Sequence, residues 1–440
     1  MRKRILCANR QCVFVYLTEK LFVFVSLFKL KLHSGEAMGV VRLKNWKVIL
    51  AVLTVNVTMM SSGYTMLIPF LPMYLVRELG VSSESVTMWN GAIFSITFLI
   101  GGIMAPIWGK MADTKGKKLM GIRSGAGLAL SYFLGGLVTS PEQMFMVRVV
   151  QGFAAGLWSV CLAVATSLVP IGKLGVSLGI MQAGLTCGNV IGPLVGGTLA
   201  TLFGMRTSFF VAGTLLSIIT LVFAFYIPEP PQKLASDKPL ADADSKAELL
   251  KRPLIREVLF YVALVQMLIL LIQPVLSLYV EELSGGEGNV VFMSGFVFSL
   301  VGIAGAITAP AWGKFGQRKG FYRGLVLAAL CSGVMSMVNA LPETLTVFCV
   351  TNFTYGLCCS GIMPSLSAVI ASHTERSQQG RAFGYVFSAQ QFGSMLGPLL
   401  GGLIALWFPL RSLFVLCGII MLLLSLFVFV KHVKSAAQAT

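Results

Sequence analysis

GIMQAGLTCGNVIGPLVGG, Gly179 to Gly197, returns 205 positions later as GYVFSAQQFGSMLGPLLGG, Gly384 to Gly402. Both copies keep a glycine, eight residues, a glycine, three residues, Gly-Pro, two residues and Gly-Gly. Nearly every shared position is small or bends a helix, so common apolarity does not explain the match. A longer pair lies at almost the same offset. NGAIFSITFLIGGIMAPIWGKMADTKG, Asn90 to Gly116, overlays SGFVFSLVGIAGAITAPAWGKFGQRKG, Ser294 to Gly320, and Arg206 with Phe209 matches Arg411 with Phe414. The chain is an internal duplication of a unit of about 200 residues.

A chain of 440 residues that is 56% hydrophobic and only 12% charged does not suit a water-soluble globule. Apolar runs of about 20 residues, enough to cross about 30 Å of hydrocarbon, recur between short polar breaks. Twelve such spans are expected: 46–76, 87–108, 119–139, 144–169, 176–203, 207–227, 257–280, 290–312, 321–340, 344–371, 381–408 and 412–431. The reading is an all-α integral membrane protein of twelve transmembrane helices in two six-helix pseudo-repeat halves. Its parts are an amino-terminal segment 1–45, a first half 46–227, a polar linker 228–256, a second half 257–431 and a tail 432–440.

The net charge of +17 is distributed by loop. Lys110, Lys115, Lys117, Lys118 and Arg123 follow span 2, the linker is rich in lysine and arginine, and Lys314, Arg318, Lys319 and Arg323 follow span 8. The alternate loops hold only Arg77, Arg206 and Arg411. This asymmetry reads as topology, with both termini and the linker cytoplasmic, and not as a nucleic-acid surface. Seven of the nine cysteines fall inside spans without metal-ligand spacing, so no metal or cofactor is expected. Residues 1–37 fit neither a signal peptide nor a thirteenth span, and Met38 opens an ordinary basic lead into span 1. We expect Met38 to be the translation start; an amino-terminal peptide from residues 11–31 in the expressed protein would contradict this.

Between spans 2 and 3 stand Gly109, Asp113, Gly116, Lys117 and Lys118, and span 4 carries Arg148, Gln151, Gly152 and Gly156. Here the sequence resembles the major facilitator superfamily, whose signature loop is G-x-x-x-D-x-x-G-[RK]-[RK] and whose span 4 carries R-x-x-q-G. The stretch with Gly188, Gly192, Pro193, Gly196 and Gly197 looks like the antiporter motif of its drug–proton antiporters. Ile68 to Leu75, IPFLPMYL, is most similar to the MdtG-like multidrug efflux branch. The resemblance implies export of amphiphilic small molecules from the cytoplasm across the plasma membrane, driven by inward proton flow, by a chain functional as a monomer. It also implies a gating latch at Gly109, Asp113, Gly116, Lys117 and Lys118, and a proton role for Arg148. The family's arginine after the aspartate is Thr114 here, and Asp113 aligns with Gln317 in the second copy.

Physically, Gly184, Gly188, Gly192 and Gly196 form a stripe that admits another helix closely, while Pro193 removes a backbone hydrogen bond and bends its helix. That suits either a gate helix or a purely packing one. Arg148 is a deep charge that needs acceptors or water. No deep carboxylate accompanies it; Glu78 and Glu257, with Asp113 and Gln151, are the remaining candidates for proton coupling. Asn56, Tyr64, Trp158, Gln182, Gln266, Gln273, Tyr355, Gln390 and Gln391 are candidates for a wet, adaptable cavity. With no acid in the interior, an exporter of an anionic metabolite or siderophore is an alternative, and a non-transporting membrane sensor is another. No Walker A, H-E-x-x-H or G-x-S-x-G pattern occurs, so an enzyme is not expected.

Overall fold

The computed structural model describes residues 45–170, 173–229, 251–285, 289–374 and 379–434. The expected start at Met38, most of the linker and the end of the tail lie outside these residues, as does the side chain of Asp113. Among the described residues all regular structure is helical. Spans 2, 5 and 8 are unbroken helices, Val86–Lys115, Leu174–Phe203 and Val290–Lys319, and spans 3, 6 and 9 are Lys117–Leu137, Met205–Tyr226 and Phe321–Val338. Spans 11 and 12 are Gln379–Ile404 and Leu410–Val428, the last continuing as a π-helical turn, Phe429–Lys434.

The other four spans are each split. Span 1 is Trp46–Met66 and Leu71–Arg77, span 4 is Pro141–Ala154 and Leu157–Leu168, span 7 is Pro253–Leu271 and Gln273–Leu283, and span 10 is Leu345–Cys359 and Ile362–Ser372. The same helices break in both halves, for local reasons. Pro69 and its duplicate Pro274 lack the N–H that would continue spans 1 and 7. Span 4 turns at Gly156, whose φ of +116° suits a residue without a Cβ. Ten of the spans are long and apolar enough to cross a bilayer on composition alone. Spans 3 and 11 fall short because they are rich in glycine and polar residues; span 3 packs on span 6, and span 11 on spans 2 and 7.

Spans 1 and 5 pair in the first half, spans 7 and 11 in the second, and the halves meet through spans 2 with 11 and 5 with 8. One end of the bundle carries the turns between spans 1 and 2, 3 and 4, 5 and 6, 7 and 8, 9 and 10, and 11 and 12, and is called the tied end below. The basic end carries the remaining turns. A single buried apolar core joins the halves at the tied end, from Phe70, Tyr74 and Phe209 to Tyr279, Phe348 and Phe414. At the basic end the first half has a separate core around Leu53, Cys161 and Phe223. Burial therefore couples the halves at one end only.

Candidate functional site

The duplicated skeleton is where the helices come closest. A methyl group on Gly188 would lie 2.3 Å from the Thr58 carbonyl, on Gly192 2.5 Å from the Ser62 carbonyl, and on Gly196 2.0 Å from the Met66 carbonyl, so this stripe takes span 1 backbone to backbone. Gly397 and Gly401 receive span 7 in the same way. Gly197 and Gly402 face the opposite half: added methyls would lie 2.9 Å from the Val291 carbonyl and 2.4 Å from the Thr87 carbonyl. Gly91 and Gly295 complete the pairing, each 2.3 Å by the same measure from the carbonyl of Pro398 or Pro193. Each Gly-Pro-x-x-Gly-Gly segment thus binds its own half with one face and the other half with the next.

Polar contacts reinforce the tied end. Asn90 Nδ2 donates to the Pro274 carbonyl over 2.9 Å, Ser299 Oγ to the Val190 carbonyl over 2.7 Å, and Thr201 Oγ1 to Asn289 Oδ1 over 2.8 Å. Arg77 and Glu281 approach to 3.6 Å between halves, an exposed pair of small energetic weight.

Beyond these crossings, on the basic-end side, spans 2 and 11 line a common space. Between them opens a cleft of about 660 Å³, walled by Phe98, Leu99 and Ile103 of span 2, Ser159 of span 4, and Tyr385, Phe387, Gln391, Phe392 and Met395 of span 11. Its walls are mostly aromatic or aliphatic, with serine hydroxyls and one amide, and among the described residues no carboxylate lines it. Such a surface favours molecules with substantial apolar area and adapts through Phe and Met side chains. Sequence reasoning had Gln391 among the cavity candidates but missed the aromatic wall. The signal was present in the duplication: Phe387 and Phe392 stand where the first copy has Gln182 and Cys187.

Arg148 lies behind this cleft in the first half and is only 1% exposed. Its Nη1 donates to Gln151 Oε1 over 2.8 Å, its guanidinium sits 5.3 Å from the Phe94 ring, and Nη2 has no partner. The Tyr64 and Ser95 hydroxyls are also buried and unpartnered, and Tyr64 meets Phe98 of the cleft wall edge-on at 5.9 Å. No described carboxylate pairs with Arg148. In the second half Asn352 takes its place and donates to the Val297 carbonyl over 3.2 Å.

At the basic end, Gly116 turns with φ +102° and leaves room for Glu229, whose carboxylate accepts the Lys118 N–H at 3.2 and 3.3 Å. The anion sits at the first turn of the span 3 helix, where free N–H groups and the helix dipole favour it. Lys117 Nζ donates to Ser167 Oγ over 2.8 Å at the far end of span 4. Arg123, read from sequence only as a topology charge, stacks 3.8 Å from the Trp108 ring and donates to the carbonyls of Phe153 and Ala155 at 2.8 and 3.1 Å. With the Ser124 hydroxyl on the Ala154 carbonyl, it caps the break in span 4.

The other candidates scatter. Glu78 pairs with Arg206 at 2.8 Å at the tied end, and Glu257 binds Lys431, His432 and Tyr261 on the second half, away from the cleft. Asn56 donates to the Val52 carbonyl of its own helix, Gln273 is buried at the span 7 break, and Tyr355 is buried in span 10. Trp158 packs on the basic-end core of the first half, Gln266 lies against Gly393, Gln390 faces Met363, and Gln182 is exposed on span 5.

The arrangement has counterparts among known proteins. The sequence profile of the Major Facilitator Superfamily matches residues 53–339 and 291–439. The multidrug resistance protein MdtG of Proteus mirabilis is 32% identical, covering 85% of this chain and 93% of that protein. The uncharacterized MFS-type transporter YuxJ of Bacillus subtilis is 35% identical over 80% of this chain and 91% of its own. Among solved structures, the nucleoside transporter NupG aligns with a TM-score of 0.71 at 15% identity, covering 88% of this chain and 98% of that one. A bacterial homolog of the human lysosomal transporter Spinster aligns with a TM-score of 0.71 at 14% identity, covering 87% and 96%. Duplicated halves joined at one end, broken helices at matching places and a sequence profile covering both halves lead to one conclusion: this chain is a multi-pass membrane transporter, not an enzyme, and belongs to the major facilitator superfamily.

Proposed function

We propose that the protein exports drugs or other amphiphilic small molecules from the cytoplasm by alternating access, coupled to inward proton movement. The observation that carries this reading is the aromatic cleft of about 660 Å³ between spans 2 and 11, on the basic-end side of the glycine crossings and with no carboxylate among its described lining residues. On the positive-inside reading, the basic end with the linker and tail is cytoplasmic, so the cleft receives substrate from the cytoplasm. The MdtG relatives, named for multidrug resistance, support the substrate class. In this reading the chain works as a monomer in the plasma membrane. The parts at 46–227 and 257–431 rock as halves about the glycine crossings, with the linker 228–256 between them.

For the proton path, Arg148 with Gln151 is the central candidate and Asp113 the second. Glu78 and Glu257 are weaker ones, because both carboxylates are already engaged by basic groups. The test is a substrate screen in cells lacking their own exporters, with Asp113→Asn and Arg148→Ala as comparisons. A protonophore should abolish export, and export that continues unchanged under it contradicts antiport.

The free Nη2 of Arg148 and the acid-free cleft favour a second reading, export of an anionic metabolite or siderophore. Protection against cationic drugs in the same cells argues against it. Flux in proteoliposomes separates either transporter from a sensor, which moves nothing.

A further inference from the structure

The second half carries a groove on its outer side, remote from the cleft. It measures about 630 Å³ and runs between the first segment of span 7 and span 12. Phe260, Leu264, Leu423 and Phe427 line it, and Phe260, Leu423 and Phe427 are 62%, 60% and 54% exposed. Charge occurs at one end only, where Arg256, Glu257 and Lys431 stand at the basic end of the bundle.

Three observations identify an occupant. The lining extends from Pro253 to Leu264 on span 7 and from Lys431 back to Ile420 on span 12, which at 1.5 Å per residue is about 16 Å, the depth of one leaflet of a 30 Å hydrocarbon layer. The groove is therefore apolar over the length of an acyl chain and charged where a headgroup begins. Glu257, the one acid among the described residues lining the groove, is already bound by Lys431 at 2.7 Å, by His432 at 2.8 Å and by the Tyr261 hydroxyl. Arg256 is exposed, and no described carboxylate pairs with it. The local balance favours an anion, and a guanidinium suits a phosphodiester through paired N–H donors.

We infer that this groove retains an anionic glycerophospholipid from the leaflet at the basic end, with one acyl chain between spans 7 and 12 and the phosphate on Arg256, assisted by Lys431. Such a lipid bridges the two ends of the second half in sequence, at Pro253 and Lys431. It stabilises that helix pair without entering the cleft.

The test is native mass spectrometry of the full chain in a mild detergent, titrated with phosphatidylglycerol, with phosphatidylethanolamine and inorganic phosphate as separate arms. The wild type should bind its first phosphatidylglycerol about fivefold more tightly than Arg256→Gln, the worth of one basic side chain at an anionic surface. Leu423→Trp, which fills the groove and leaves Arg256 in place, should weaken the same step. Phosphatidylethanolamine should bind wild type and Arg256→Gln alike, and millimolar phosphate should not displace the lipid. Equal phosphatidylglycerol binding by wild type and Arg256→Gln overturns the proposal, and displacement by phosphate overturns the role of the acyl chain. Should Leu423→Trp fail to fold, Phe427→Ala, which shortens one wall, replaces it with the same expected sign.

Discussion

Asn90 donates its side-chain amide to the backbone carbonyl of Pro274 over 2.9 Å, and this bond between halves has no twin. By the duplication Ser294 stands for Asn90 and Pro69 for Pro274, yet the Ser294 hydroxyl is buried without a partner. The tie between spans 2 and 7 therefore has a hydrogen bond that the tie between spans 8 and 1 lacks. A net hydrogen bond contributes about 1 kcal/mol, which is about fivefold in a two-state population. Asn90→Ala should raise the share of molecules with the tied end open by about that factor. Spin labels at Ser83 and Ser284, read by double electron–electron resonance, would report it as growth of a longer distance; an unchanged distribution removes Asn90 from the gate.

Gly91→Ala tests the crossing itself. Its new methyl would come within 2.3 Å of the Pro398 carbonyl, and backbone atoms there cannot rotate away. Because this contact joins completed halves, membrane insertion should stay near wild type while export falls more than about tenfold, the scale of the 1–3 kcal/mol penalty for overpacking. Loss of insertion in proportion to export would make the crossing a folding contact instead.

Gly192→Leu places its bulk within one half, against Thr65 and Ser62 of span 1. Transport should again fall more than insertion, measured by export and by immunoblot of the membrane fraction. Equal loss of both would assign the glycine stripe to packing alone.

Arg148 separates stability from function. A guanidinium 1% exposed, with Gln151 as its side-chain acceptor and Nη2 unpartnered, is a burden on the fold. Arg148→Met should leave the thermal midpoint in detergent unchanged or higher and abolish gradient-driven export. Gln151→Leu, which keeps the charge and removes that acceptor, should destabilise by about 1–3 kcal/mol. A lower midpoint in Arg148→Met than in Gln151→Leu would make Arg148 a structural residue.

Arg123 holds the broken end of span 4 through two carbonyls while lying on Trp108. A lysine keeps the charge but loses the planar fork, so Arg123→Lys should lose nearly as much midpoint as Arg123→Ala. Recovery to wild-type stability by lysine would reduce Arg123 to its charge.

Much of the architecture was legible because its causes are local. Apolar run length announces a span, and glycines at every fourth position announce a helix face open to close approach, whereas the breaks at Pro69 and Pro274 were not read from the sequence. The duplication then supplied the two-half plan of the superfamily. The candidate site was less legible. Glu257 looked like an acid near the hydrocarbon, and only the fold brings Lys431 and His432 to it from 174 and 175 residues away. Arg123 looked like one of many topology charges, and only the fold lays it on Trp108.

The amino-acid sequence by itself determined the membrane-spanning stretches and that the halves are copies, since run length and repeat spacing are properties of the chain alone. Tertiary structure alone decided which end is tied, and that Phe387 and Phe392 form a wall where the first copy has Gln182 and Cys187. Those outcomes depend on how the two halves meet. The halves meet through contacts such as Asn90 with Pro274, 184 residues apart, which neither hydropathy nor repeat spacing encodes.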